Sequence, residues 1–239
     1  MKYIDLTFPA PEYNLACDEA LIHWCEDGRE NELLRFWEPG DYFAVLGYSG
    51  KLEAEVDPAA CRALRVPVLR RCSGGGTVLQ GPGCLNYSLI LRIDDREPLK
   101  RVTDTNLFIM QRLKNALEPV VGSGIEIQGF SDLALGTLKF SGNAQYRKRR
   151  FLLFHGTFLL RFDISLMDKL LPLPPRQPSY RQNRPHGKFL TNLDLPPQTI
   201  KESLRQAWNA AQELRDIPFD RIEGLVRNRY ATDEWNAKF

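Results

Sequence analysis

Arg70-Arg71-Cys72-Ser73-Gly74-Gly75-Gly76-Thr77-Val78-Leu79-Gln80-Gly81-Pro82-Gly83-Cys84-Leu85-Asn86-Tyr87-Ser88 is the stretch around which the chain is organised. The apolar run Val66-Pro67-Val68-Leu69 precedes it, and the alternation Leu85, Tyr87, Leu89, Leu91 follows. Both patterns predict β-strands, so a glycine-rich turn joins two strands. Three successive glycines cost backbone entropy, which is worth spending where φ must be positive or another group must approach the backbone closely. Successive N–H groups in such a turn form an anion-binding concavity, and the two arginines at its entrance add permanently charged planar donors. The stretch has neither the G-x-x-x-x-G-K-[ST] phosphate loop nor the strand-to-helix G-x-G-x-x-G of dinucleotide sites. A hairpin whose glycines serve only the turn has the same local signature.

The composition is that of an ordinary globular protein: 239 residues, 43% hydrophobic, 26% charged and 10% aromatic. Nothing marks an internal boundary, so residues 1–239 are expected to form a single domain. No stretch approaches the ~18 consecutive apolar residues of a membrane span. The start, Met1-Lys2-Tyr3-Ile4-Asp5-Leu6, lacks a secretory signal, and the five cysteines have no paired spacing, which together predict a reducing cytoplasm. The net charge of +2 is too small to imply nucleic acid as a partner, and no membrane is expected either. The three histidines are scattered and C-x-x-C and H-E-x-x-H are absent, so any metal is expected to arrive with a substrate.

Along the chain, Pro11 opens a helix whose inner face carries Leu15, Asp18, Leu21, Ile22 and Cys25. The acids Asp18 and Glu19 are read as serving the helix dipole. Leu33–Trp37 and Tyr42–Gly47 are expected to pair as a hairpin across Glu38-Pro39-Gly40-Asp41. A helix capped by Thr103 or Asp104 should end at Pro119, and Thr199-Ile200-Lys201-Glu202 reads as a capping box for a later helix running to Leu214.

Leu138-Lys139-Phe140-Ser141-Gly142-Asn143-Ala144-Gln145-Tyr146 alternates strictly, which places Lys139, Ser141, Asn143 and Gln145 on one polar face, read as a site lining. Phe151–Leu160 returns as an apolar strand broken by His155 and Thr157, with Gly156 between them. His155 alone reads most simply as a hydrogen-bonded core residue. From Leu171 to Lys188 five prolines are interleaved with Arg176, Tyr180, Arg181, Arg184 and Lys188. That composition predicts neither helix nor central strand, and suits a basic loop that closes over an anion.

Arg70-Arg71-x-Ser73-Gly74-Gly75-Gly76-Thr77-Val78, Leu85-Asn86-Tyr87-Ser88, Ser131-Asp132-Leu133, Lys139-Phe140-Ser141-Gly142-Asn143-Ala144-Gln145 and His155-Gly156-Thr157 together resemble the lipoate-protein ligase family in order and spacing. Asn14-Leu15-Ala16-x-Asp18-Glu19-Ala20-Leu21 and Glu234-Trp235-Asn236 extend the resemblance over essentially the whole chain. It implies an α+β fold of mixed, largely antiparallel β-sheets flanked by helices, similar to the catalytic domain shared with biotin protein ligases. It also implies ATP-dependent activation of lipoate or octanoate as acyl-AMP, followed by transfer to a lysine of a lipoyl carrier protein. That carrier would be a glycine cleavage H-like protein or a dehydrogenase E2 lipoyl domain.

By the same resemblance Lys139 is the catalytic residue. Arg70, Ser73, Gly74, Gly75, Gly76, Thr77, Asn86, Ser141, Gly142, Asn143, His155, Gly156 and Thr157 border lipoate and the adenylate. Asp132 lies near the nucleotide or its Mg²⁺, and residues 171–188 form the adenylate-binding lid. Two departures stand out. The chain stops near Glu234-Trp235-Asn236, where larger relatives continue into an accessory domain, so a separate accessory subunit is a candidate partner. Gln80-Gly81-Pro82-Gly83-x-Leu85 is similar to the His-Gly-Pro-Gly-x-Leu of octanoyltransferases, which work through an acyl-enzyme without ATP. That transferase chemistry and a non-catalytic carrier-binding role are the alternatives. No cysteine lies between Gly122 and Leu138, where one group of related transferases carries its nucleophile.

Overall fold

The computed structural model describes residues 1–94 and 96–239. In chain order the elements are β1 (Lys2–Asp5), α1 (Pro11–Glu26), β2 (Leu33–Trp37), β3 (Phe43–Leu46), α2 (Leu52–Glu55), α3 (Pro58–Ala63), β4 (Val68–Arg70) and β5 (Val78–Gln80). The long strand β6 (Cys84–Arg92) and helix α4 (Val102–Val121) follow, then β7 (Ile125–Gln128), β8 (Asp132–Leu135), β9 (Leu138–Arg147) and β10 (Phe151–Leu159). The chain finishes with α5 (Ser165–Leu170), α6 (His186–Phe189), α7 (Pro197–Ala207), β11 (Gln212–Glu213), α8 (Phe219–Leu225) and α9 (Asp233–Asn236).

Eight strands form one sheet in the order β11-β1-β2-β6-β10-β9-β8-β7, antiparallel except where β1 lies parallel to β11 and β2. A second sheet of three has the order β4-β3-β5. The architecture is thus the expected mixed α+β one. Helices cover both faces of the large sheet. On one face Leu34, Leu85, Leu89, Leu152 and Phe154 pack with Met110 and Leu113 of α4 and Leu204 of α7. On the other, Leu33, Ile90, Phe151 and Leu153 meet Leu21 and Ile22 of α1 and Ile222 of α8. The period-two pattern of each strand sends alternate apolar residues to these two cores.

Several local expectations are overturned. β2 and β3 do not pair as a hairpin: β2 lies between β1 and β6, whereas β3 takes β4 and β5 in the small sheet. The glycine-rich turn therefore links β4 to β5 across β3, joining two strands that are not neighbours. α4 runs through Pro119 to Val121 with Arg101 as its N-cap, because a proline in the last turn leaves few later residues to lose bonds. α7 starts at Pro197, ahead of the capping box, and stops at Ala207, so Leu214 lies beyond it. Part of the proline-rich segment is helical after all, in a 3₁₀ turn at Ser179–Arg181 and the single turn α6. Among the described residues no helix is long and apolar enough to cross a membrane.

Candidate active site

The cavity of interest lies where apolar alternation on the α1 face of the large sheet gives way to polar residues. On β10 the row Phe151, Leu153 continues as His155 and Thr157, and on β6 the row beginning at Ile90 continues as Ser88 and Asn86. Over this polar floor pass β5, the glycine-rich turn and the segment after α5, enclosing about 400 Å³. The wall includes Gly75, Gly76, Thr77, Asn86, Asp132, Lys139, Gly142, Asn143, His155, Gly156 and Thr157, with Leu15, Trp37, Val45, Val78 and Tyr87 as its apolar part.

The turn is held by Arg71 rather than left free to bind. Its guanidinium donates to the carbonyls of Gly74 (2.6 Å), Gly76 (2.9 Å) and Val45 (3.2 Å) and to Ser73 Oγ (3.0 Å). Burial pulls its pKa down to about 10, still far above neutrality. Gly75 has φ +91°, a conformation that strongly favours glycine, and its carbonyl would stand 2.0 Å from a Cβ on Gly47. Both sites require glycine, one for φ and the other for close approach.

Arg70, expected beside the adenylate, is placed elsewhere. It is fully buried and donates to the carbonyls of Gly47, Tyr48, Gly50, Trp235 and Asn236, fastening the chain's last turn to the small sheet. A buried guanidinium must satisfy five N–H donors, and here the backbone supplies the acceptors. Ser73 is also buried behind the wall, with Oγ 2.6 Å from His155 Nε2. Gly74 is exposed outside the cavity.

β9 departs from strict alternation. Leu133 pairs with Ser141 but Ala134 pairs with Lys139, so Phe140 is an extra residue in the ladder. The bulge moves Lys139 to the face of Gly142 and Ala144, while Ser141 is buried and Gln145 bonds to Asn106 of α4. The expected single polar face of Lys139, Ser141, Asn143 and Gln145 therefore does not exist. Asn143 borders the cavity, but its amide accepts from Tyr87 Oη (2.6 Å) and donates to the Ser131 carbonyl (2.7 Å). Lys139 Nζ pairs with Asp132 Oδ1 at 2.8 Å and would lie 2.7 Å from a Cβ on Gly142, so glycine leaves the room the ammonium fills.

Asp18 does not serve the helix dipole. Deep in α1 rather than in its first turn, it is buried and its Oδ1 accepts from Arg35 (2.6 Å). Oδ2 accepts from Ser88 (2.8 Å) and faces His155 Nδ1 at 3.4 Å. Burial raises the Asp18 carboxyl, but Arg35, His155 and Ser88 outweigh it and hold the pKa below the usual range. Glu19, equally buried, accepts from Tyr230 and Arg229. His155 is held between two groups, its Nε2 at the Ser73 hydroxyl and its Nδ1 at the Asp18 carboxylate. The sequence held one signal for this: Asp18 is the single polar residue on an apolar helical face.

Gln80 and Phe189 line the wall without having been singled out as site residues. Gln80 closes a ring with Thr157 (2.7 Å) and Asn86 (2.9 Å), and Thr157 donates to Asn86 at 2.5 Å. Pro174, Arg176 and Arg181 come from the proline-rich segment 171–188, and Phe189 directly follows it. Tyr180 Oη donates to Asp132 Oδ2 at 2.8 Å. Both Asp132 oxygens are thus engaged, and among the described residues no three His, Cys, Asp or Glu side chains gather to hold a metal.

Among the described residues no cysteine lines the cavity. All five are free and buried. Burial pushes Cys84 up to about 12 and Cys17 up to about 11, and Cys72 higher still.

The fold is thus a mixed α+β domain with a cavity roofed by a glycine-rich turn and Lys139 on its wall. The chain belongs to the lipoyl protein ligase A/B catalytic domain family, whose model matches residues 10–207. The octanoyltransferase LipM of Geobacillus kaustophilus is 25% identical over 272 residues, covering 99% of this chain and 98% of the relative. Among solved structures, a bi-partite lipoate protein ligase from Thermoplasma acidophilum, studied with its E2 lipoyl domain, superposes with a TM-score of 0.82. It is 20% identical, covering 99% of this chain and 95% of that one. A lipoate-protein ligase A bound with ATP gives a TM-score of 0.83 at 22% identity, covering 99% and 98%.

Proposed function

We propose that the protein is an ATP-dependent lipoate-protein ligase, which joins lipoate or octanoate to AMP and passes the acyl group to a lysine of a lipoyl carrier domain. The carrying observation is a cavity with cationic side chains on its wall and no thiol. Lys139, Arg71, Arg176 and Arg181 outnumber the wall's two carboxylates, Asp18 and Asp132, each of which is already engaged. Excess positive charge suits a phosphate-bearing intermediate, and Lys139 is the donor placed to stabilise charge that develops on a carboxyl–phosphate anhydride. The apolar wall suits an aliphatic chain. ATP is read as a substrate, in keeping with the ATP-bound structural neighbour, and a lipoyl carrier as the acceptor, in keeping with the neighbour studied with its E2 domain.

A second reading, octanoyl transfer without ATP, is favoured by the LipM relative, which matches over nearly its full length. It needs a thiolate within reach of the acyl carbonyl. The burial of every cysteine outside the cavity supports the ligase instead.

The test is acylation of a purified lipoyl domain, followed by its mass, with lipoate, ATP and Mg²⁺ present. A lipoyl mass increment that disappears when ATP is omitted supports the ligase. An octanoyl increment delivered from an octanoylated carrier without ATP contradicts it and favours the transferase.

A further inference from the structure

Arg181 is 5% exposed, lines the cavity and stacks on Phe189, its guanidinium carbon 4.8 Å from the ring centroid. Its Nε donates to the Arg184 carbonyl at 3.0 Å, but Nη2 is buried with no hydrogen-bond partner. The carboxylates near it are spent. Asp168 accepts from the backbone N–H groups of His186 and Gly187, and Asp132 from Lys139 and Tyr180. A buried guanidinium N–H without an acceptor is unfavourable until one arrives, and a planar fork matches the oxygens of a phosphate.

We propose that Arg181 is the anion receptor of the segment that closes the cavity, donating through Nη2 to the phosphate of a bound acyl-adenylate. The Tyr180–Asp132 bond fixes the neighbouring residue, so the guanidinium is held at the cavity wall before ligand enters. This inference rests on the ligase reading and names a phosphate donor for it in addition to Lys139. Arg184 provides an internal comparison. It stacks on the same Phe189 ring at 5.2 Å, yet its nitrogens are committed to the Arg181, Lys188, Thr137 and Tyr180 carbonyls, and it does not line the cavity.

The test compares calorimetric binding of two stable probes, the phosphodiester of adenosine with lipoyl alcohol, and lipoyl alcohol alone. Arg181→Met keeps an unbranched stem over Phe189 and removes the donors. It should weaken the phosphodiester on the order of 10- to 100-fold, the scale of a hydrogen bond to a charged group, and leave lipoyl alcohol within about twofold. Arg181→Lys should recover part of the loss. Unchanged phosphodiester binding in Arg181→Met, or an equal loss of lipoyl alcohol binding in that variant, overturns the receptor while wild-type binding leaves the ligase reading standing. Failure of the wild-type chain to bind the phosphodiester overturns both.

Discussion

Lys139 and Asp18 occupy the same cavity and do opposite work. Lys139 is partly solvated, paired to a single carboxylate, and lies on the wall where a ligand would meet it. Lys139→Ala should lower the single-turnover rate of acyl-adenylate formation on the order of 10²-fold, the cost of removing one preorganised donor. An unchanged rate would remove it from the chemistry. Asp18 works through others, as the buried counter-charge of Arg35 and the orienting partner of His155. Asp18→Asn should destabilise the fold by about 3–5 kcal/mol near neutrality, because it leaves Arg35 uncompensated in the interior. Since the folded pKa of Asp18 is depressed, its contribution is fully present above the unfolded value near ~4 and is lost as pH falls through the folded value below it. The stability gap between wild type and Asp18→Asn, followed by urea unfolding, should therefore narrow in that acid window. A gap that is constant with pH contradicts the assignment.

At the level of elements, the site depends on close approaches that only glycine permits. A Cβ on Gly156 would stand 1.7 Å from Asn143 Oδ1, the atom that accepts from the buried Tyr87 hydroxyl. Gly156→Ala should cost about 3 kcal/mol, combining overpacking with a lost buried hydrogen bond. The cost should shrink in a Tyr87→Phe background, and equal cost in both backgrounds would contradict this account. His155-Gly156-Thr157 stood out as a polar break in an apolar strand and the turn as a glycine run, but each also had a purely structural reading, and the family resemblance is what assigned them to one site. The bulge at Phe140 could not, since it is fixed by pairing with β8, and it reverses the face assigned to Lys139. The β2–β3 hairpin failed for a similar reason. A proline–glycine turn marks where the chain bends but not which sheet each strand joins. The roles of Arg70 and Arg71 were not legible either, because a buried guanidinium on carbonyls and an exposed one on phosphate have the same sequence.

For the whole molecule, the large sheet separates two cores, and the cavity opens where one core's apolar rows end beneath the small sheet and its glycine-rich turn. The α+β architecture was legible through the family resemblance, while strand alternation and helical stripes located many of its elements because they repeat over many residues. The closing segment was legible only as charge and proline, since its contacts with Asp132 and Phe189 join positions distant in sequence. The central claim is that this assembly performs adenylate chemistry without a covalent thiol. Its most direct test is to mix the purified chain with lipoate, ATP and Mg²⁺, with no carrier present, and analyse the products of one turnover. The account predicts pyrophosphate and enzyme-bound lipoyl-AMP in equal amounts, with no acyl group on the protein. No pyrophosphate and no lipoyl-AMP from that mixture, or an acyl thioester on Cys72 or Cys84 released by hydroxylamine, would contradict it.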